Sequence, residues 1–252
     1  MNEKEAIIAL KNVKEMLDSH DIEFWLDTGT LLGAVRNDRF IPWDDDIDLR
    51  IWKKDLKRVV QILEKQKMKY YLVQDVFDPP RPTVKIYYSD FIIDLSAYEL
   101  SDHLAIFSYR KPKKFIKNSF IIWNLKNLIC LVQSKSNAHI IRTNIPFFMV
   151  NLFSELISSF PFKIRKNILT FLTKIITMMH TKVSLSIPVK YFKKLSKIEF
   201  YGMEFKIPSP VEEYLEYRYG VDWMTPERDY VFYEDDQAIV EEMNMNLVSD
   251  YE

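Results

Sequence analysis

Two acidic residues, Asp46 and Asp48, are spaced so that their carboxylates could share one metal ion. They belong to the run DDDIDL at 44–49, where acidic and apolar residues alternate. Alternate residues of a β-strand share a face, so we expect Asp46 and Asp48 to project together while Ile47 and Leu49 face a core. Neighbouring carboxylates repel each other unless a cation lies between them, and oxygen ligands of this kind suit Mg²⁺ or Mn²⁺. The alternation therefore predicts a metal site.

The other two acids of this run have a simpler interpretation. Asp44 and Asp45 could be turn residues that only raise the local negative potential. A run of acids is most often a solvated loop. The position of this run between Trp43 and a predicted strand favours the metal site.

A third carboxylate, Asp94, lies in the apolar segment FIIDLS at 91–96. A charge among buried strand residues is costly without a partner, and a neighbouring metal ion would be that partner. The alternative is an inward-facing Asp94 that is satisfied by backbone groups or by Lys85.

Two glycines, Gly29 and Gly33, come shortly before the acidic run, within WLDTGTLLGAVR at 25–36. The whole chain has only 4 glycines. Glycine at a strand-to-helix turn lets the backbone approach a ligand, and the free N–H groups of a helix start attract phosphate. An ordinary tight turn would also explain the two glycines, but the carboxylates that follow favour a phosphate-binding turn.

These residues need a sheet to position them, and apolar periodicity predicts one within about the first 100 residues. Three helices and five strands are predicted there. The helices are 3–19, 31–36 and 53–66, and the strands are 23–26, 47–52, 69–73, 83–88 and 91–98. We therefore expect an α+β fold with a mixed β-sheet flanked by helices.

The charge of the chain is strongly segregated. Residues 110–195 hold sixteen Lys or Arg against one acid, Glu155, for a net charge of +15, whereas the whole chain has a net charge of -1. With 48% hydrophobic residues the chain is not disordered, and a single cysteine, Cys130, excludes a disulfide scaffold. No N-terminal run resembles a cleaved secretion signal, so we expect a cytoplasmic protein.

The basic middle of the chain predicts a second role. Apolar residues recur at helical spacing over 163–179 with basic residues between them, which is typical of an amphipathic helix on an anionic membrane. We expect peripheral attachment to the inner face of the membrane. Two alternatives remain: the apolar stripe could complete a helical core, or the charges could bind a soluble polyphosphate or nucleic acid. No nucleic-acid-binding motif accompanies the charge, so nucleic acid is not an expected partner.

The motifs GTLLG at 29–33 and PWDDDID at 42–48 resemble the LicD family of phosphotransferases, whose relatives include the fukutin-type enzymes. The resemblance is close over about 21–51 and looser at 83–95 and 199–226. It implies a nucleotidyltransferase-like fold. The chain would then consist of three parts: a catalytic core at 1–100, a basic and mainly helical insertion at 101–198, and a C-terminal element at 199–252 that packs on the core.

The resemblance also implies roles for individual residues. Three carboxylates would hold Mg²⁺ or Mn²⁺ and carry catalysis, and the glycine turn and two basic residues would bind the substrate. The first set is Asp46, Asp48 and Asp94, and the second is Gly29, Thr30, Gly33, Arg36 and Lys85.

The resulting expectation is a LicD-type phosphotransferase. It would move a phosphocholine or phosphoalditol group from a CDP-activated donor to a hydroxyl of a glycan or lipid-linked acceptor, in lipopolysaccharide or teichoic acid biosynthesis. Two other functions remain open: a nucleotidyltransferase that uses NTP, and a catalytically inactive protein that binds a membrane surface.

Overall fold

The computed structural model describes residues 1–72, 82–88, 91–112 and 177–241, with single positions between 159 and 175. The chain divides into two compact units. The first consists of Met1–Val73, Pro82–Phe107 and Ser184–Glu252, and the second of Gln74–Arg81 and Ser108–Val183. All of the predicted site residues belong to the first unit.

Helices and strands alternate at the start of the chain, and a run of strands then follows. In chain order they are α1 (Glu3–Asp18), β1 (Phe24–Leu26), α2 (Thr28–Asn37), β2 (Asp46–Trp52), α3 (Lys53–Lys65), β3 (Tyr70–Leu72), β4 (Thr83–Tyr87), β5 (Ile92–Ser101), β6 (Leu104–Pro112), β7 (His180–Pro188), a 3-10 turn (Val189–Phe192), β8 (Ser196–Phe200), β9 (Met203–Ile207), α4 (Val211–Tyr219), α5 (Phe232–Asp235) and β10 (Ile239–Glu241).

One mixed sheet brings β2 and β5 side by side. Its strand order is β1-β2-β5-β6-β7-β10, and β4 pairs with β5 and with β3, while β8 and β9 form a separate pair. Strands β2 and β5 are parallel, which puts Asp48 directly across from Asp94. Strand β4 is antiparallel to β5 and puts Lys85 across from Asp94 on the other side. The register of three strands thus assembles the centre of the site.

Strand alternation and helix periodicity explain how these elements are held. Ile47 and Leu49 of β2 are fully buried, as expected, whereas Asp46 and Asp48, which alternate with them, are partly accessible. The apolar face of α1 is buried as well. Each such side chain contributes roughly 1.5–3 kcal/mol when fully buried.

Aromatic rings fill the core next to β2. The Trp25 ring centroid lies 5.1 Å from that of Trp52 and 5.3 Å from that of Phe192. Tyr98 of β5 stacks on Trp25 at 6.2 Å. This packing joins β1, β2, β5 and the 3-10 turn beneath the site.

The α+β class and the mixed sheet flanked by helices are confirmed. The sequence assigns the range 101–198 to a mainly helical insertion. This range also contains strands β6 and β7, whose backbones pair in the main sheet. Described positions from 164 to 178 are helical, in agreement with the predicted amphipathic helix. Residues 113–158 lie outside the described part of the chain, so the three-part division stays a prediction.

Within the described residues, none of the helices combines the length and the apolar character needed to cross a bilayer.

Candidate active site

Three carboxylates converge where β2 and β5 run in parallel. Oxygen atoms of Asp46, Asp48 and Asp94 all lie within 4.8 Å of one another. Asp94 is buried, and its Oδ2 accepts a hydrogen bond from Lys85 Nζ at 2.9 Å. Its Oδ1 is buried with no hydrogen-bond partner among the described residues. Because a buried, unpartnered carboxylate oxygen costs free energy, a cation between the three groups fits this arrangement.

The electrostatics of the cluster point the same way. Burial, followed by the charges of Asp44 and Asp94, raises the pKa of Asp46 to about 8. Burial and the charge of Asp46 raise the pKa of Asp48 well above its usual range. The ionised carboxylates repel one another, and a divalent cation between them would offset this repulsion. Carboxylate oxygens are also the ligands that Mg²⁺ and Mn²⁺ prefer.

Asp44 is more than a turn residue. Its carboxylate oxygens approach those of Asp45 and Asp46 within 4.8 Å, and burial raises its pKa to about 6. The backbone N–H of Asp44 donates to the Ile41 carbonyl at 3.0 Å, so the residue also closes a turn. The sequence feature that could have indicated this role is its position in a run of three acids.

Gly29 and Gly33 both lie inside α2, where the sequence predicted a turn, and they allow the loop that follows α2 to pack against the helix. A Cβ on Gly29 would overlap the Asp44 carboxylate, and a Cβ on Gly33 would lie 2.6 Å from the Arg39 carbonyl oxygen. The glycines are therefore required for close packing of this loop, in addition to the predicted approach of a phosphate.

The other predicted substrate-binding residues are distributed along α2. Thr30 is buried, and its Oγ1 accepts a hydrogen bond from the Asp48 backbone N–H at 2.8 Å. Arg36 donates to Asn37 Oδ1 at 2.8 Å. It follows Gly29 by seven residues, about 10 Å along the helix axis. Thr30 thus touches the cluster's backbone, whereas Arg36 lies at the opposite end of α2.

Sequence reasoning missed Asp27, the residue that caps α2. Asp27 is fully buried and accepts hydrogen bonds from residues of β2, β5 and α4. Burial alone would raise its pKa, but the guanidinium groups of Arg218 and Arg50 hold that pKa below its usual value. Its partner Arg218 is 191 residues away, so no local pattern could have revealed the pair.

Part of the chain is similar in sequence to a known protein family. Residues 21–127 match the family model described as LicD/FKTN/FKRP, nucleotidyltransferase domain. The chain is 33% identical over 63 residues to the lipopolysaccharide cholinephosphotransferase LicD of Haemophilus influenzae, covering 25% of this chain and 24% of that protein. It is 40% identical over 47 residues to the human ribitol 5-phosphate transferase FKRP, covering 19% of this chain and 10% of that protein.

A further relative is an uncharacterized protein of Rickettsia typhi, 40% identical over 65 residues, with 26% of this chain and 21% of that protein covered. These matches span at most about a quarter of the curated relatives' lengths. Among solved structures, the antibiotic-resistance factor ANT(2'')-Ia aligns with a TM-score of 0.33 and 13% identity, over 69% of this chain and 93% of that one.

Proposed function

We propose that this chain, whose residues 21–127 belong to the LicD/FKTN/FKRP family of nucleotidyltransferase domains, is a metal-dependent phosphotransferase. It transfers a phospho-substituent of the phosphocholine or phosphoalditol type from a CDP-activated donor to a hydroxyl of a glycan or glycolipid. The observation that carries the proposal is the cluster of Asp46, Asp48 and Asp94 beside Lys85, with the buried Oδ1 of Asp94 lacking a partner among the described residues.

The residues around the cluster suit binding of a donor diphosphate. Lys85 Nζ is a compact point charge, its side chain is partly accessible, and it is held beside the cluster by Asp94. The N-terminal turn of α2 begins at Thr28, so its N–H groups and the positive end of the helix dipole lie beside Asp48. Positive charge beside the cluster supports the proposal that a donor diphosphate binds there.

The proposed transfer is a nucleophilic substitution at phosphorus. The acceptor hydroxyl oxygen forms a bond to the phosphorus that carries the substituent, the bond from that phosphorus to the CMP oxygen breaks, and CMP leaves. The hydroxyl proton passes to a carboxylate of the cluster, a role that Asp94 would have in addition to holding the metal. A divalent cation held by the three carboxylates supplies charge neutralisation on the diphosphate and on the leaving CMP.

The acceptor we propose is the glycan of lipopolysaccharide or teichoic acid. A thermal-shift screen of CDP-choline, CDP-ribitol, CDP-glycerol, CTP and ATP, each with and without Mn²⁺, tests the donor class. We expect stabilisation by a CDP-linked compound that depends on Mn²⁺ and is lost in Asp94→Asn.

Product analysis separates this proposal from the other functions. Release of CMP supports it, while release of pyrophosphate from an NTP indicates a nucleotidyltransferase instead. Turnover of no donor with any acceptor, despite metal binding, would favour a catalytically inactive binding protein.

We further propose that the protein works at the cytoplasmic face of a membrane. Ile164, Phe171 and Met178 are 46%, 63% and 67% exposed. All three described positions are helical, and a spacing of seven residues is that of one helix face. Lys174, also helical, is exposed. The surrounding sequence, 110–195, has a net charge of +15. Exposed apolar side chains in a basic segment suit an anionic lipid surface, where each basic residue contributes about 1 kcal/mol.

Vesicle co-sedimentation tests this location. We expect binding to rise with the fraction of anionic lipid and to fall when Ile164, Phe171 and Met178 are replaced together by Ser. The matched control replaces Ile8 and Leu100, which are 60% and 59% exposed in the first unit. Equal partitioning of the two variants, or binding that ignores lipid charge, would contradict membrane attachment.

A further inference from the structure

We propose that Asp27 is a positioning residue, which holds the glycine turn and the metal-binding carboxylate Asp48 in place through a buried network that includes helix α4. We call the group of Asp27, Arg50, Tyr98, Tyr214 and Arg218 the Asp27 network. The inference rests on the proposed function, because it assigns to these five residues the geometry of the proposed metal site.

Both carboxylate oxygens of Asp27 are fully used. Oδ1 accepts from Tyr214 Oη at 2.6 Å, from Arg218 Nη1 at 2.9 Å and from the Thr28 backbone N–H at 2.8 Å. Oδ2 accepts from Arg50 Nε at 3.0 Å and from Tyr98 Oη at 2.8 Å. The five bonds reach β2, β5, α4 and the start of α2, so one carboxylate ties four elements together.

The charges of the network balance. Arg218 also donates from Nε to Asp236 Oδ2 at 2.7 Å, so two guanidinium groups face two carboxylates, Asp27 and Asp236. All four charged side chains are buried. Buried ion pairs of this kind are weak evidence for stability as such, since apolar residues can replace them, but they can specify one arrangement of the elements they join.

That arrangement includes the backbone of Asp48. The Asp27 N–H donates to the Asp48 carbonyl at 3.3 Å, and the Asp48 N–H donates to Thr30 Oγ1 at 2.8 Å. Both main-chain polar groups of Asp48 are therefore bound by the turn that Asp27 begins. A shift of the turn would move Asp48 relative to Asp94 on the neighbouring strand.

The turn also needs to be held, because its backbone is strained. Thr28 has a φ of +49°, in the left-handed region that β-branched residues rarely adopt. Such conformations persist where the surrounding structure over-determines them. Asp27 Oδ1 accepts a hydrogen bond from the Thr28 N–H, and Arg50 Nη2 donates to Thr28 Oγ1 at 3.0 Å. The network therefore binds both the backbone N–H and the hydroxyl of Thr28.

Two neighbouring tyrosines of similar burial offer a matched test. Tyr214 donates to Asp27, whereas Tyr191, whose ring centroid lies 5.5 Å from that of Tyr214, donates to Glu213 at 3.1 Å. Phenylalanine at either position keeps the ring. It removes the bond from Tyr191 to Glu213 or, at Tyr214, the bond to Asp27 and the bond that Tyr214 Oη accepts from Arg218 Nη1 at 2.9 Å. Only Tyr214→Phe loosens the Asp27 network.

The readouts are Mn²⁺ affinity measured by titration calorimetry on the full chain and unfolding by urea. We expect Tyr214→Phe to weaken Mn²⁺ binding at least threefold and Tyr191→Phe to leave it unchanged, even where the two variants lose similar stability. Tyr98→Phe, which removes a bond to the other oxygen of Asp27, gives the same test if Tyr214→Phe does not fold.

The outcomes separate the two proposals. If the wild type binds Mn²⁺ and both Tyr214→Phe and Tyr98→Phe bind it equally well, the positioning role is overturned while the metal site stands. If the wild type binds no Mn²⁺, the proposed function and the positioning role both fall.

Discussion

Replacing Asp46 by Asn should stabilise the metal-free protein at alkaline pH while it abolishes transfer. Burial and the charges of Asp44 and Asp94 raise the pKa of Asp46 from 3.8 to about 8. A carboxyl whose pKa is raised by folding binds more protons in the folded state, so its ionisation destabilises the fold as pH rises from about 4 through about 8. Asparagine keeps the shape and removes this cost.

The size of the effect follows from the shift. Each pKa unit corresponds to about 1.36 kcal/mol, so the full shift corresponds to about 6 kcal/mol. Neighbouring carboxyls can take up the proton instead, so the repulsion is shared among coupled groups. Asp46→Asn therefore relieves only part of it. We expect a gain of roughly 2–3 kcal/mol at pH 8.5, which raises Tm by roughly 4–12 °C in a chain of this size.

The assay is urea unfolding at pH 4, 6.5 and 8.5 in EDTA, repeated with Mn²⁺. The variant should match the wild type at pH 4 and exceed it increasingly toward pH 8.5, while Mn²⁺ should stabilise the wild type more than the variant. Asp38→Asn is the control, because Asp38 is exposed and outside the cluster. If metal-free Asp46→Asn is no more stable than the wild type at pH 8.5, the account of carboxylate repulsion is refuted.

Four further predictions concern the turn, the network and the donor. Asp48→Asn and Asp94→Asn should each abolish transfer with the fold intact, checked by CMP release and circular dichroism; activity in both would end the metal-site interpretation. Lys85→Ala should raise the KM for the donor more than that for the acceptor, because in the proposed function its ammonium would contact the donor phosphates; unchanged donor kinetics would make it a structural partner of Asp94 alone. Gly29→Ala should lower kcat at least tenfold, because its Cβ would displace the Asp44 carboxylate; wild-type rates would show that the loop can yield. Asp27→Asn should cost about 3–5 kcal/mol in urea unfolding at pH 7, because it removes the buried carboxylate that pairs with Arg50 and leaves Arg218 with Asp236 alone. The pKa of Asp27 is lowered by folding, so this loss should shrink as pH falls below about 4, and a loss independent of pH would argue against the ion pairs.

Local sequence patterns were sufficient to predict the faces of individual elements. The alternation in β2 correctly separated the partly accessible Asp46 and Asp48 from the buried Ile47 and Leu49. Periodicity of 3.6 residues likewise identified the buried face of α1. These predictions succeed because the direction of a side chain follows from backbone geometry that repeats every few residues.

Partners distant in sequence required the tertiary structure. Asp94 meets Asp48 because β5 aligns in parallel with β2, a register that depends on how both strands pack and not on either segment alone. Likewise, strands β6 and β7 lie in the range 101–198, for which the sequence predicted a mainly helical insertion. Their partners in the sheet are distant in sequence, so no local pattern indicated them.

The Asp27 network shows which features the local sequence predicts and which depend on the tertiary structure. The sequence by itself placed an acid before the glycine turn and predicted the turn, the acidic strand and the character of the basic segment. It did not indicate that Asp27 is buried, because an isolated acid next to a turn is usually solvated. Only the folded chain brings Arg218 and Tyr214 of α4 to this carboxylate, and their charge and hydrogen bonds make burial of Asp27 tolerable.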